Sequence, residues 1–353
     1  GARGCSSLCN MIETQVLIVG AGPIGLEVAW HLREAGLDTT QVDSGPIGAT
    51  IAALFPPHTR FFSSPERLAI AGIAIPTTHQ EKPTGKEYLS YLRTVALSHD
   101  LAVLTYHTVA RVAKVKAGYI VTMINRAGCE SKLLATHIVL ATGGMDRPRR
   151  LNIPGEDLPH VRSHLGDPHQ YFRRRVLIVG GKNSAAESAL RCWRVNADVH
   201  ISYRGKELHE RIKYWIRPEL ASLIDEGQVS SWMPSTITRI TPDHVCLHKT
   251  ATDEHITLPV DDVLLQIGYE QDDAIFRLFG VETIGEEKSP MHSPETLETN
   301  VPNIYVAGTA AAGTQKKFRA YIETAHDHGP RIAAALTGAP PPAPMEARVL
   351  PES

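Results

Sequence analysis

Gln15 to Gly25 reads QVLIVGAGPIG, and this stretch limits what the chain can fold into more than any other. Val16 to Val19 is a β-branched and aliphatic run with strand character. Gly20, Gly22 and Gly25 follow at G-x-G-x-x-G spacing, and Leu26 to Ala35 has the pattern of a helix. In such a strand, turn and helix the first glycine permits the tight turn, the second lets the backbone approach a pyrophosphate and the third lets helix and strand pack closely. Pro23 and Ile24 complete the turn, where unpaired N–H groups of the helix start face an anion. A second hydrophobic strand, Thr39 to Val42, ends in Asp43, placed to accept hydrogen bonds from an adenosine ribose. The stretch predicts a dinucleotide site.

A second unit of the same kind begins at Arg175, with RVLIVGGKNSAAESALRCW. Gly180 and Gly181 start its turn, Lys182 takes the second glycine position, Asn183 and Ser184 follow, and Ala185 takes the third position, a tolerated relaxation. The Lys182 ammonium is a candidate for the pyrophosphate itself. The next strand ends in Arg204, with Lys206 beyond it, where the first unit has Asp43. An acid there favours the free 2′-hydroxyl of NAD, and a guanidinium favours the 2′-phosphate of NADP. The two units therefore predict FAD in the first and NADPH in the second, with Lys213 and Arg217 as further phosphate candidates.

Buried strands running into glycine mark the remaining cofactor positions. HIVLATGG, after Thr136, ends in Thr142 and Gly143; DVLLQIG ends in Gly268 and closes the NADPH domain; NIYVAGT leads to Gly308 and Thr309. The last is followed by a predicted helix running to about Leu336, which carries His326 and His328. His328 is the one catalytic candidate, as a proton donor to reduced flavin or substrate, against a purely structural hydrogen-bonded role.

Between these motifs, Ser44 to Ala53 reads as turns, and the following LFPPHTRFFSSPERLAI as a loop ending at a short helical piece capped by Ser64-Pro65. Its Phe55, Phe61 and Phe62 either line a cofactor cavity or anchor the loop to the core. Thr84 and Glu87 stand at capping-box spacing ahead of a helix. Period-two segments at Ala102–Tyr106, Thr108–Lys116, Tyr119–Asn125 and Ser131–Leu134 predict an antiparallel excursion, and Thr236–Ile240, His244–His248 and Ile256–Leu258 predict further strands.

A formal charge of −2 over 353 residues gives no basic surplus for nucleic acid or an anionic membrane, and no apolar run is long enough to span a bilayer. The five cysteines include no C-x-x-C, and Cys129, Cys192 and Cys246 read as buried or strand-face residues. A reducing cytoplasm is expected. Seventeen histidines show no metal-ligand spacing along the chain, so no metal is expected. Residues 1–10, ahead of Met11, and the proline-rich 339–353 are expected to be flexible tails.

The order of these motifs resembles the thioredoxin reductase-like flavoproteins over about residues 13 to 338. FFSSPERLAI, GGKNSA, IKYWIRPE and YVAGTAAAGT are similar to the bacillithiol disulfide reductase branch. The resemblance implies an α/β protein of two Rossmann-like three-layer domains, with an NADPH-binding domain (156–270) inserted in a discontinuous FAD-binding domain (11–155 and 271–338). It also implies a homodimer and hydride flow from NADPH to FAD and then to an acceptor. The redox C-x-x-C of thioredoxin reductases is absent from HVRSHLGDPHQYFRRR, and Ile24 fills the place where the bacillithiol branch carries a cysteine. The acceptor is thus open between a low-molecular-weight thiol disulfide, a ferredoxin or flavodoxin, and oxygen or a quinone. A non-enzymatic flavin-based redox sensor is the alternative class.

Overall fold

Alternating apolar residues in the first strand settle how the first sheet is covered on both faces. The structure, a computed structural model, describes residues 11–56, 59–315, 320–343 and 345. The N-terminal tail with Cys5 and Cys9, and most of the C-terminal tail, lie outside the described residues. Strand β1 (Ile12–Val19) feeds helix α1 (Pro23–Glu34), and β2 (Thr39–Val42) pairs parallel to β1. Leu17 and Val19 point to one face, among Val121, Met123, Phe276 and Phe279. Val16 and Ile18 point to the other, among Val28, Leu32 and Ile332. Each such side chain contributes about 1.5–3 kcal/mol on full burial.

The stretch expected to be turns contains helix α2 (Ala49–Leu54), entered through Gly48 at φ +67°. No residue of α2 is fully buried, so no apolar stripe announces it in the sequence. Helix α3 is Pro65–Leu68, and α4 (Gly85–Ser98) carries the expected capping box: the Glu87 N–H donates to Thr84 Oγ1 and the Thr84 N–H to a Glu87 carboxylate oxygen. Ser64 precedes α3 without a side-chain cap. Phe55 stacks on Phe61 with centroids 4.5 Å apart, and Phe61 leans on buried Tyr88, so these two rings anchor their loop to the core.

Strands β3 (Val103–Leu104), β4 (His107–Val115), β5 (Gly118–Asn125) and β6 (Glu130–Leu140) complete the first passage. The two strands expected at Ser131–Leu134 and in HIVLATGG are one continuous strand. The first half of β6 pairs antiparallel with β5, and from Leu133 to Leu140 it runs parallel to β1. The sheet order is β3-β2-β1-β6-β5-β4.

A second compact unit spans 148–269, against the expected 156–270. Residues 148–155 join it because Leu151 and Ile153 pack on its core and the Pro154 carbonyl accepts the Ile240 N–H. Its parallel sheet comprises β7 (Val161–Arg162), β8 (Arg175–Val179), β9 (Asp198–Ser202), β10 (Ser230–Trp232) and a last strand, Asp262–Leu265, in the order β10-β9-β8-(262–265)-β7. Helices α5 (Asn183–Arg194) and α6 (Arg217–Asp225) belong to this unit. A three-stranded antiparallel sheet, β11 (Ser235–Ile240), β12 (His244–Lys249) and β13 (Glu254–Pro259), precedes β14, the strand Asp262–Leu265.

The chain then returns to the first unit with α7 (Ala274–Phe279) and β15 (Ile304–Val306), which pairs parallel with the last residues of β6. The expected long helix is broken. A short 3-10 turn covers Gly308–Ala312, another covers Ile322–Thr324, and α8 is confined to His328–Thr337. Gly308 and Gly313, at φ +68° and +66°, interrupt the helical path.

Candidate functional site

The first glycine turn lies at the C-terminal end of β1, and its geometry leaves room for backbone alone. A Cβ on Gly20, at φ +109°, would stand 2.2 Å from the Ala141 carbonyl oxygen and 3.2 Å from the Thr142 nitrogen; one on Gly25 would stand 2.3 Å from the Gly20 carbonyl oxygen. Gly22 is different: nothing lies within 4 Å of its Cβ position. Gly22 is the N-cap of α1, carries no side-chain cap, and is followed by Pro23. The N–H groups of Ile24 and Gly25 therefore point from the first turn without intrahelical partners. An open backbone surface at a helix N-terminus fits a pyrophosphate.

Asp43 ends β2 beside this turn. Its Oδ2 accepts the Ala21 N–H at 2.7 Å and its Oδ1 the Gly45 N–H at 2.8 Å. A carboxylate has about four acceptor positions, so these two bonds fix it and still leave lone pairs for a ribose.

Two more chain segments converge on the first unit's turn. Gly143, at φ +80°, follows β6, and its Cβ position is 3.9 Å from Thr309 Oγ1. Gln271 joins the two segments: its Nε2 donates to the Gly143 carbonyl at 3.2 Å and to the Ala310 carbonyl at 3.1 Å. Gln271 is 2% exposed, and its Oε1 is buried without a hydrogen-bond partner. Sequence reasoning missed this residue, because a single glutamine in YEQDD belongs to no motif and only the fold reveals what it spans. Ile24 packs against Gly308, whose Cβ position is 3.1 Å from the Ile24 Cβ.

His328 lies beneath this turn and accepts the Gly308 N–H on Nδ1 at 2.9 Å. Burial, foremost, depresses its pKa to about 4, with Arg331, His292 and His326 acting in the same direction against Asp327. The ring is neutral, with its proton on Nε2, and its Nδ1 is committed to positioning Gly308. Only its Nε2–H is left to donate a proton. His326 precedes α8 instead of lying within it. Its Nε2 faces the Arg67 carbonyl at 2.7 Å and its Nδ1 faces buried Glu27 at 2.9 Å. Burial opposes its charge, but the Glu27 hydrogen bond and charge outweigh burial and raise its pKa. Neighbouring His31 is pushed down to about 4 by burial and by His326.

The second unit repeats the turn with a different electrostatic character. Gly180, at φ +143°, would place a Cβ 2.3 Å from the Gln266 carbonyl oxygen and 3.2 Å from the Ala185 Cβ, so glycine and alanine are the sizes this crossing admits. The Tyr203 ring closes over Gly181, 2.4 Å from its Cβ position. Lys182 is the N-cap of α5, with Asn183 and Ser184 in the first turn. Asn183 Oδ1 accepts the Lys213 N–H at 2.8 Å and its Nδ2 donates to the Arg211 carbonyl, which holds the 211–213 loop over the turn. Burial lowers the Lys182 pKa, followed by repulsion from Arg211, Arg149 and Arg204. Those four cations form one field at the start of α5, suited to a polyanion. His209 is likewise lowered, by burial and then by Lys182 and Arg211. Arg149 and Arg211 were not legible as site residues, since one sits in the linker DRPRR and the other in HERIKYW.

Gly268, at φ +97°, has its Cβ position 3.6 Å from Arg149 Nε. Lys206 lines a groove of about 600 Å³ together with Arg217, Tyr214 and Met233. Arg217 donates to the Leu208 carbonyl and lies 3.8 Å from Glu207, so its charge is engaged within its own loop. Lys213 is 9% exposed, with its ammonium 5.9 Å from the Trp215 ring centroid.

No thiol lies at either glycine turn among the described residues. Cys129 is in the hairpin turn before β6, and at about 3.3 Å per residue the length of β6 puts it roughly 35 Å from the turn at the strand's other end. Cys192 is fully buried, and burial with Asp262 pushes its thiol up to about 12. Cys246 lies in β12. Strand pairing brings together three residues that are not close in ligand spacing along the chain, His248, Asp253 and His255. Among the described residues no helix is long and apolar enough to cross a membrane.

Residues 17–308 match the family Pyridine nucleotide-disulphide oxidoreductase. The chain is 33% identical over 326 residues to bacilliredoxin reductase Bdr of Bacillus subtilis, covering 92% of this chain and 98% of that protein. The solved bacillithiol disulfide reductase Bdr of Bacillus cereus superposes with a TM-score of 0.87 at 33% identity, covering 92% of this chain and 99% of that one. A ferredoxin–NADP reductase of Oceanobacillus iheyensis is 26% identical over 303 residues, covering 83% and 84% of the two chains.

Proposed function

From the premise that this chain belongs to the pyridine nucleotide-disulphide oxidoreductase family, we propose that it is an NADPH-dependent reductase of a low-molecular-weight thiol disulfide. It is a flavoprotein oxidoreductase of thioredoxin reductase-like type, using FAD and NAD(P)H. When bound, FAD supplies the hydride acceptor and the redox store between nicotinamide and final acceptor. The chain's own residues hold and orient. Gly22 and the first turn of α1 receive the FAD pyrophosphate, Asp43 takes the ribose, and Gly143, Gly308 and Thr309 form the wall beside the ring. His328, through Gly308, and Gln271, through Gly143 and Ala310, keep that wall in place.

The observation that carries the nucleotide choice is the cationic field of Lys182, Arg204, Arg211 and Arg149 at the start of α5. It supports NADPH over NADH because the 2′-phosphate adds charge that only a guanidinium or ammonium matches. The disulfide acceptor rests on the likeness to the two Bdr proteins. In this chain Ile24 offers no sulfur for a mixed disulfide at the first glycine turn. The same isoleucine favours a second reading, transfer to a ferredoxin or flavodoxin, which needs no cysteine. A homodimer in a reducing compartment completes the proposal.

The test is anaerobic reoxidation of the NADPH-reduced enzyme. Rapid return of flavin colour with bacillithiol disulfide, and none with ferredoxin or flavodoxin, is the expected result; the reverse pattern overturns the disulfide assignment and supports the second reading.

A further inference from the structure

The antiparallel sheet of the second unit has an outward face that the flavin chemistry does not use. Val245, Leu247 and Leu258 turn inward to the core. By the period of two, Cys246, His248, His255 and Thr257 face the other way. The register sets His248 directly opposite His255, and the two rings stack with centroids 4.7 Å apart and planes 14° from parallel. Asp253, held at φ +56° in the connecting turn, brings its Oδ1 to 2.7 Å from His248 Nε2. One ligand atom from each of the three residues lies within 4.8 Å of the other two. His248 is half-buried, and Asp253 and His255 are exposed, so a solute reaches the site without any opening of the fold.

We propose that His248, Asp253 and His255 form a binding site for a divalent transition metal ion of the zinc class. Metal–nitrogen and metal–oxygen bonds of about 2.0–2.2 Å place neighbouring ligand atoms roughly 3–3.5 Å apart, so the nearly parallel imidazoles turn toward a common centre on binding. Two imidazoles with one carboxylate select zinc, nickel, cobalt or copper over magnesium and calcium, which prefer all-oxygen shells. Three protein ligands leave at least one position to water. The backbone ladder of β12 and β13 holds His248 and His255 in register without the metal, so the ligands are removable without unfolding the hairpin.

The experiment is calorimetric titration of the full chain with zinc chloride, in parallel with magnesium chloride, on wild type, His248→Gln/His255→Gln and Cys5→Ser/Cys9→Ser. The last variant separates this site from thiol binding in the N-terminal tail. The expected result is saturable zinc binding in the micromolar range that survives Cys5→Ser/Cys9→Ser, weakens about tenfold or more in the histidine variant, and has no magnesium counterpart. Zinc also raises the melting temperature of wild type and leaves that of the histidine variant unmoved. Absence of saturable zinc binding, or equal affinity in the histidine variant, overturns the proposal.

Discussion

Gly25 lies where even a methyl group would collide with the backbone of Gly20, so the residue acts through what it lacks. Gly25→Ala is expected to cost about 1–3 kcal/mol through overpacking and to lower FAD occupancy, both readable by denaturant titration and flavin absorbance of the purified variant. Arg204 is proposed to act oppositely, through charge. Arg204→Ala should raise the KM for NADPH by roughly tenfold or more, the equivalent of one charge-assisted hydrogen bond, and barely change that for NADH. Equal effects on the two nucleotides would remove Arg204 from the 2′-phosphate. His328 gives a pH signature. Its folded-state pKa lies near 4, below the ordinary 6.5, so its contribution to stability is present above pH 6.5 and is lost as pH falls toward 4. His328→Gln should flatten that part of the stability curve measured in urea between pH 4 and 7. Asp146 carries the opposite sign: burial raises it to about 6 against the hydrogen bond it accepts from the Asp272 N–H, so its neutral form stabilises the fold at low pH and that contribution declines as pH rises from about 4 to 6.

Elements differ in how openly they are written. The capping box of α4 is local, set by Thr84 and Glu87 alone, and the structure forms both of its hydrogen bonds. Thr84→Ala should therefore destabilise the fold by about 1 kcal/mol without changing nucleotide kinetics, checked by thermal and steady-state measurements on one preparation. Strand β2 and the glycine turns were equally legible, because β-branched runs and glycine spacing state their own conformation. Helix α2 was not, since its residues pack no continuous stripe against a core. The unity of β6 was hidden by a change of partner: its first half alternates as a strand of an antiparallel pair, and its second half reads as a fully apolar parallel strand. Gln271, Arg149 and Arg211 were invisible for a related reason. They lie in no motif, and only the return of the chain and the closing of loops bring them to the glycine turns.

At the scale of the molecule, one chain builds a dinucleotide turn twice on two compact units, and the charge around each turn distinguishes them. The first turn has an acid, Asp43, tied to its backbone. The second has four cations at a helix start. This contrast is the basis for the proposal that FAD occupies one and NADPH the other, a proposal independent of which acceptor takes the electrons. The measurement that tests it most directly is anaerobic stopped-flow reduction of the FAD-loaded protein by NADPH and by NADH, for wild type and Arg204→Ala. Fast bleaching of the flavin by NADPH, slow bleaching by NADH, and loss of that preference in the variant are expected; equal rates with both nucleotides in wild type, or no bleaching with either, would overturn the division of the two turns between FAD and NADPH.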